Sequence, residues 1–307
     1  MILTFLGTGG AWGLPELDCD CMICRQMRRR HERRKRTSLL LSGNTHILVD
    51  CGPDAASQLS EYGADKPDAV LITHEHGDHY LGLDELFAYK RNSPRGEFDP
   101  IPLYLTDRSW EVIGRRFGYL EDMKVVRVHK VEPGVSFVLG EFEITPFKTN
   151  HGSFALGSVG FIVIARDAHG SPVRLVYTSD FEGLPETPPE LLRPDYLIIQ
   201  TFWLNEPQRN TPHHMSFQRA LEFIRDWQPR RETFLVHIGD GDCIPGDRAN
   251  RMLKKRRPLD PMRSPEGEPY PAPRNQEEWD RAVARILRDR KLNYTVKVAY
   301  DGMTLTI

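Results

Sequence analysis

Thr73-His74-Glu75-His76-Gly77-Asp78-His79 packs three histidines and an aspartate into six positions, directly after the apolar run Ala69-Val70-Leu71-Ile72. The run reads as a buried strand. A metal site needs several neutral imidazoles and a carboxylate aimed at one point, and a tight loop leaving a strand end supplies them. A regular helix does not, because neighbouring positions point in different directions. A solvated polar turn is the competing reading, and His is too metal-seeking for that to be preferred.

The same grammar recurs along the chain. His46-Ile47-Leu48-Val49 ends in Asp50, and Phe142 to Phe147 leads to Asn150 and His151. Val173 to Tyr177 delivers Ser179 and Asp180, and Thr233 to Val236 delivers His237. Each is a short β-rich run with a candidate ligand at its carboxyl end, where sheet enzymes place their chemistry. Any one of them alone would be a cap or a buried polar residue; together they point to one convergent site.

The 307 residues suffice for a substantial core, and 39% hydrophobic with 27% charged residues is ordinary for a water-soluble globular chain. A net charge of −2 offers no global electrostatic case for nucleic acid. No apolar run is long enough to span a bilayer, so no membrane partner is expected. Met1 to Leu6 lacks a basic lead and soon reaches Gly7-Thr8-Gly9-Gly10, so it reads as a first strand and tight turn rather than a signal peptide. A cytoplasmic location is expected. Of the five cysteines, Cys19, Cys21 and Cys24 form a CxCxxC cluster, with Cys51 and Cys243 apart. An odd count argues against a disulfide framework. Three close thiolates suit a soft metal, and a closed tetrahedral zinc site needs one more ligand.

HxHxDH followed by a His, an Asp and a final His, each after a strand, resembles the metallo-β-lactamase superfamily, and the likeness spans almost the whole chain. The residues alone support a mixed α/β fold; the resemblance implies a four-layer αβ/βα sandwich, forming a single domain over 1–307. It implies one divalent metal held by His74, His76 and His151. A second would be held by Asp78, His79 and His237, with Asp180 bridging and Asp50 organising the loops beneath. Two such cations about 3.5–4 Å apart can share a hydroxide near neutral pH. Imidazole and carboxylate ligands accept zinc, manganese or iron.

Gly7-Thr8-Gly9-Gly10-Ala11-Trp12-Gly13-Leu14-Pro15 followed by CxCxxC further resembles the PhnP-type phosphodiesterases, which carry a structural zinc besides the catalytic pair. The closing Tyr300-Asp301-Gly302-Met303 is similar to the end of that subfamily, with Asp-Gly expected as a hairpin turn. The likeness implies attack of the metal-bridging hydroxide on a small or cyclic phosphodiester. For the fourth structural ligand the subfamily has a His three residues after the last catalytic one. Asp240 stands there in this chain. Cys243, three residues further on, is the softer donor and is slightly preferred on that ground. Before Ser216, His214 takes the place of a subfamily His that assists the leaving oxygen, so Asp78 and His214 are the expected catalytic residues. His213 reads as a bystander, and His31, His46, His129 (before a loop) and His169 as structural or solvent-facing.

Two stretches pull elsewhere. Arg25 to Arg36 (RQMRRRHERRKR) could collect RNA phosphates, and the superfamily includes a transfer-RNA 3′-end endonuclease. More often such a run is a solvated or acid-paired surface, and nucleic acid is the less favoured partner. Arg248 to Leu292 reads as an insertion: a Pro-rich loop, then an amphipathic helix over Gln276 to Arg290. A non-enzymatic role in cofactor biosynthesis is a third reading. Relatives of this kind are often homodimers.

Overall fold

The computed structural model describes residues 1–63 and 65–307. Its strands are β1 (Ile2–Gly7), β2 (Ser38–Ser42), β3 (His46–Val49), β4 (Ala69–Leu71), β5 (Ile101–Thr106), β6 (Val126–Val131), β7 (Phe137–Leu139), β8 (Phe142–Lys148), β9 (Val159–Arg166), β10 (Pro172–Tyr177), β11 (Tyr196–Gln200), β12 (Glu232–Val236), β13 (Val296–Val298) and β14 (Thr304–Thr306). The helices are α1 (Met22–Arg30), α2 (Ala55–Glu61), α3 (Gly77–Tyr80), α4 (Phe87–Asn92), α5 (Asp107–Phe117), α6 (Tyr119–Asp122), α7 (Phe217–Trp227) and α8 (Gln276–Asp289).

The strands form two seven-stranded sheets, ordered β14-β1-β2-β3-β4-β5-β6 and β13-β12-β11-β10-β9-β8-β7. Between them lies a shared apolar layer in which Leu3, Phe5 and Leu71 meet Phe161, Ile198 and Phe234. The outer face of the first sheet is covered by a second cluster that includes Leu59 of α2 and Ile113 of α5. The outer face of the second is covered by α7 and α8 through Ile224, Trp227, Trp279 and Ile286. This is the αβ/βα sandwich with the metallo-β-lactamase fold. It explains the apolar runs: a strand with both faces covered, such as β4 or β11, has no polar face to alternate with.

One local reading changes and two gain detail. The Asp301-Gly302 turn is present, with Met303 N–H donating to the Tyr300 carbonyl at 3.0 Å, but it is no hairpin. β13 pairs with β12 in the second sheet and β14 with β1 in the first, so the turn carries the chain between sheets. His129 lies near the end of β6, shortly before the turn that follows it, its ring 4.7 Å from that of Tyr104 in a stacked pair. The Arg25–Arg36 run splits into the end of α1 and an extended stretch whose members are paired: Arg30 with Glu32 and Glu277, Arg33 with Glu61, Arg36 with Asp54. Arg34 is buried and donates to Thr8 Oγ1 and the Ala299 carbonyl. Among the described residues no helix is long and apolar enough to cross a membrane.

Candidate metal centre

The carboxyl ends of β3, β4, β8, β10 and β12 converge where the two sheets meet. Three residues just past strand ends, Asp50, Ser179 and His237, have left-handed φ of 63°, 56° and 59°. Such backbone is costly for residues with a Cβ and persists only where the surroundings enforce it. After β4 the chain runs extended through His76, then closes into the single helical turn α3, so Asp78 and His79 leave from a helix rather than from a loop.

The structure brings His74, His76 and His151 together as one group, and Asp78, His79, Asp180 and His237 as an adjoining one. The backing of these rings decides which nitrogens face inward. His74 Nδ1 lies 2.9 Å from Thr73 Oγ1, His79 Nδ1 2.7 Å from Asp50 Oδ2, and His151 Nδ1 2.9 Å from the His213 carbonyl. Each contact holds a proton on Nδ1, so that in the neutral ring Nε2 is the acceptor, the usual arrangement behind a metal-binding imidazole. His74 Nε2 and His237 Nε2 are buried without a hydrogen-bond partner among the described residues, and His79 Nε2 faces the carboxylates of Asp78 and Asp180 at 3.1 and 3.5 Å. His151 Nε2 and His76 Nδ1 face each other at 3.0 Å, and His237 Nδ1 lies 2.9 Å from Asp180 Oδ1. Orphaned buried acceptors from both sheets aimed at one space fit cations.

Asp50 is fully buried and ties this together: Oδ1 accepts from Thr73 N–H at 2.9 Å while Oδ2 holds His79. Glu75 faces away from the centre and braces the loop, accepting from Ser109 Oγ at 2.8 Å and Gly157 N–H at 3.0 Å. The His213 ring turns to Glu182, Nδ1 2.8 Å from Oε2, while its backbone carbonyl orients His151. Burial holds His74 and His214 well below the usual imidazole range and His151 at about 4, so these rings are neutral and ready to bind. Burial also opposes charge on His79, but the carboxylates of Asp78, Asp50 and Asp180 outweigh it and hold this ring well above.

His214 stands beside the centre, Nδ1 3.8 Å from Asp180 Oδ2. The fully buried Gln200 sets its tautomer. Gln200 Oε1 accepts from the Phe181 and Met215 amides at 3.0 and 3.1 Å, so its Nε2 amide donates to His214 Nδ1 at 2.7 Å. The proton of the neutral ring therefore resides on Nε2. The Phe202 ring stacks on His214 with centroids 4.6 Å apart. A Cβ on Gly10 or Gly239 would lie 2.7 or 2.4 Å from that ring, so both positions must be glycine for Phe202 to sit there. Sequence reasoning missed Gln200 and Phe202; a polar residue ending an otherwise apolar β11 was the available signal.

Cys19, Cys21 and Cys24 gather in a separate buried pocket with Asp240 as the fourth group. Asp240 Oδ2 lies 3.7, 3.3 and 3.2 Å from the three sulfurs. Ligands around one tetrahedral zinc are separated by roughly 3.3–3.8 Å. Cys243 does not join. Asp242 bridges to Arg256, and Cys243 N–H donates to the Arg256 carbonyl at 3.3 Å, which carries the chain away after Asp240. Position overrides softness. The Cys24 thiol donating to Cys21 lowers that thiol to about 6, and burial pushes Cys19 up to about 11. Arg28 donates to the Glu16 carbonyl at 2.8 Å and to that of Cys19, so part of the basic run holds this loop.

A family model described as a beta-lactamase superfamily domain matches residues 45–238. An octanoyltransferase of Porphyromonas gingivalis is 31% identical over 177 residues, which is 53% of this chain but 34% of that longer protein. A ribonuclease Z of Pyrococcus furiosus is 23% identical over 271 residues, covering 74% of this chain and 82% of the ribonuclease. Among solved structures, a diphosphatase from the PhnP family superposes with a TM-score of 0.70 at 24% identity, over 100% of this chain and 97% of that one.

Proposed function

The chain belongs to the beta-lactamase superfamily, and from that premise we propose that it is a metal-dependent phosphodiesterase, acting as one domain on small phosphodiesters. The observation that carries this reading is the convergence of buried ligand atoms of His74, His79, Asp180 and His237 in two adjoining groups, with the Nε2 atoms of His74 and His237 unpartnered among the described residues. Together with His76, Asp78 and His151 they suit two divalent cations, zinc, manganese or iron. When bound, the cations would supply an activated nucleophile near neutral pH and neutralise charge at the attacked centre. Phosphorus is favoured over carbon because ribonucleases and diphosphatases, the names carried by two of the relatives, both break P–O bonds.

The chain's own residues then do three things. Asp50, Thr73 and the His213 carbonyl keep three ligand imidazoles in one tautomer. Asp180, near His237 of one group and His151 of the other, would help hold the cations. His214, holding its proton on Nε2 by virtue of Gln200, is suited to donate to the departing alkoxide. Cys19, Cys21, Cys24 and Asp240 are suited to a structural zinc that locks the loop before α1.

Turnover of bis(4-nitrophenyl) phosphate after loading with zinc, manganese or iron tests the reading. Release of 4-nitrophenolate that disappears in Asp180→Ala is the expected result; no release with any metal overturns it. The ribonuclease Z likeness supports an RNA endonuclease as the second reading. The pairing of Arg30, Arg33 and Arg36 with neighbouring carboxylates weakens the case for the Arg25–Arg36 run as an RNA surface.

A further inference from the structure

A chamber of about 540 Å³ opens beside His214, with Trp12, Phe202, Trp203, Pro212, Met252 and Leu253 on its walls and Arg256 among its lining residues. Two of the apolar side chains are held out to solvent to an unusual degree: Trp12 is 71% and Leu253 90% exposed. Neither contributes to the core at that exposure, and a contiguous apolar surface beside a reactive centre marks a binding site. The chamber is continuous with the candidate centre, because Phe202 both lines it and stacks on His214.

The polar groups around the chamber are mostly taken. Asp240 Oδ2 faces the three thiols, and Lys254 is held between Asp240 and Glu16. Trp203 Nε1 is the exception, a buried donor with no hydrogen-bond partner among the described residues. Thr211 Oγ1 accepts from Arg256 at 3.2 Å. Arg256 otherwise donates to the Leu253 and Lys255 carbonyls and has no carboxylate partner among the described residues. A nucleobase or sugar would find few groups to read it. An alkyl or aryl group would find apolar contact, with one unpaired guanidinium for a phosphoryl oxygen.

We infer that the substrate is a phosphate ester with an apolar arm, which lies against Trp12, Phe202 and Leu253 while Arg256 holds a phosphoryl oxygen. This rests on the phosphodiesterase reading for what happens at phosphorus, but the chamber is testable by binding alone. Each methylene fully removed from water raises affinity about four-fold. Isothermal titration calorimetry with methyl phosphate and hexyl phosphate, on the protein as purified and after metal depletion, reads that slope. Hexyl phosphate binding about tenfold or more tightly than methyl phosphate in both preparations is the expected result. Leu253→Asp, with its fold checked by circular dichroism, should reduce the ratio several-fold.

A ratio near one in the parent protein overturns the inference, and so does an undiminished ratio in Leu253→Asp. So does a short oligoribonucleotide that displaces hexyl phosphate at low concentration. If bis(4-nitrophenyl) phosphate is not hydrolysed yet the hexyl preference stands, the phosphodiesterase reading falls and the chamber assignment survives.

Discussion

Single atoms decide most of what this site can do. Asp50 was legible as a strand-end carboxylate, and its buried contacts to Thr73 and His79 give it a positioning role. Replacing such a partner lowers metal affinity about 10–100-fold. Asp50→Asn should therefore lose cation affinity in competition with a chromogenic chelator, while the protein stays folded by circular dichroism. His214 was legible from its place before Ser216, but Gln200 was not, because its amide acts through a spatial neighbour fourteen positions away. If His214 protonates the leaving oxygen, His214→Ala should lower kcat about 10²–10⁴-fold for an alkyl leaving group. The loss should be much smaller for 4-nitrophenolate, which departs without a proton. Gln200→Leu should show the same leaving-group pattern to a lesser degree, with little change in KM. Equal losses on both substrates would assign His214 to binding instead. Asp240 against Cys243 was undecidable from spacing, since both lie within reach of the cluster and only the pairing of Asp242 with Arg256 separates them.

At the scale of elements, apolar runs and caps were readable because their signals are local. The helix expected over Gln276 to Arg290 forms over Gln276–Asp289, with Asn275 accepting from Glu278 N–H as its cap. Sheet membership was not readable, because pairing joins residues far apart in sequence: β14 closes onto β1 across almost the whole chain. The turn between β13 and β14 is fastened by Asp301, which accepts from Thr8 Oγ1 at 2.8 Å and Lys35 N–H at 2.7 Å. Burial pushes its carboxyl up to about 6. The unfolded chain releases this proton near pH 4, so between about pH 4 and 6 the native state binds more protons than the unfolded one. That contribution to stability falls as pH rises through this window, by at most about 3 kcal/mol. Asp301→Asn carries a constant offset from the altered hydrogen bond but loses the slope. On going from pH 4.5 to 7 the denaturant midpoint should therefore rise more, or fall less, in the variant than in the parent chain.

For the molecule as a whole, Asp240 joins two features: it closes the Cys cluster and also lines the chamber that reaches His214. The two candidate metal pockets differ in what binding contributes. The histidine-carboxylate group is held by the sandwich itself, through the ends of five strands. The Cys loop has less to hold it, a small cluster of Leu14, Ile23, Met27, Ile244 and Ala249 around the thiols. A cation there is expected to carry a larger share of local order. Chelation at neutral pH should thus lower the melting temperature in two stages, the active-centre cations leaving first. Binding that favours the native state stabilises it by RT ln(1 + [L]/Kd), so re-addition at a hundredfold excess over Kd restores about 2.7 kcal/mol per site. Cys21→Ser should hold one equivalent of zinc fewer by elemental analysis and melt lower, yet still take up two equivalents at the histidine group. Unchanged stoichiometry in Cys21→Ser would remove zinc from the Cys cluster. Arg28 and Asp240 would then be left as parts of a loop held by hydrogen bonds alone.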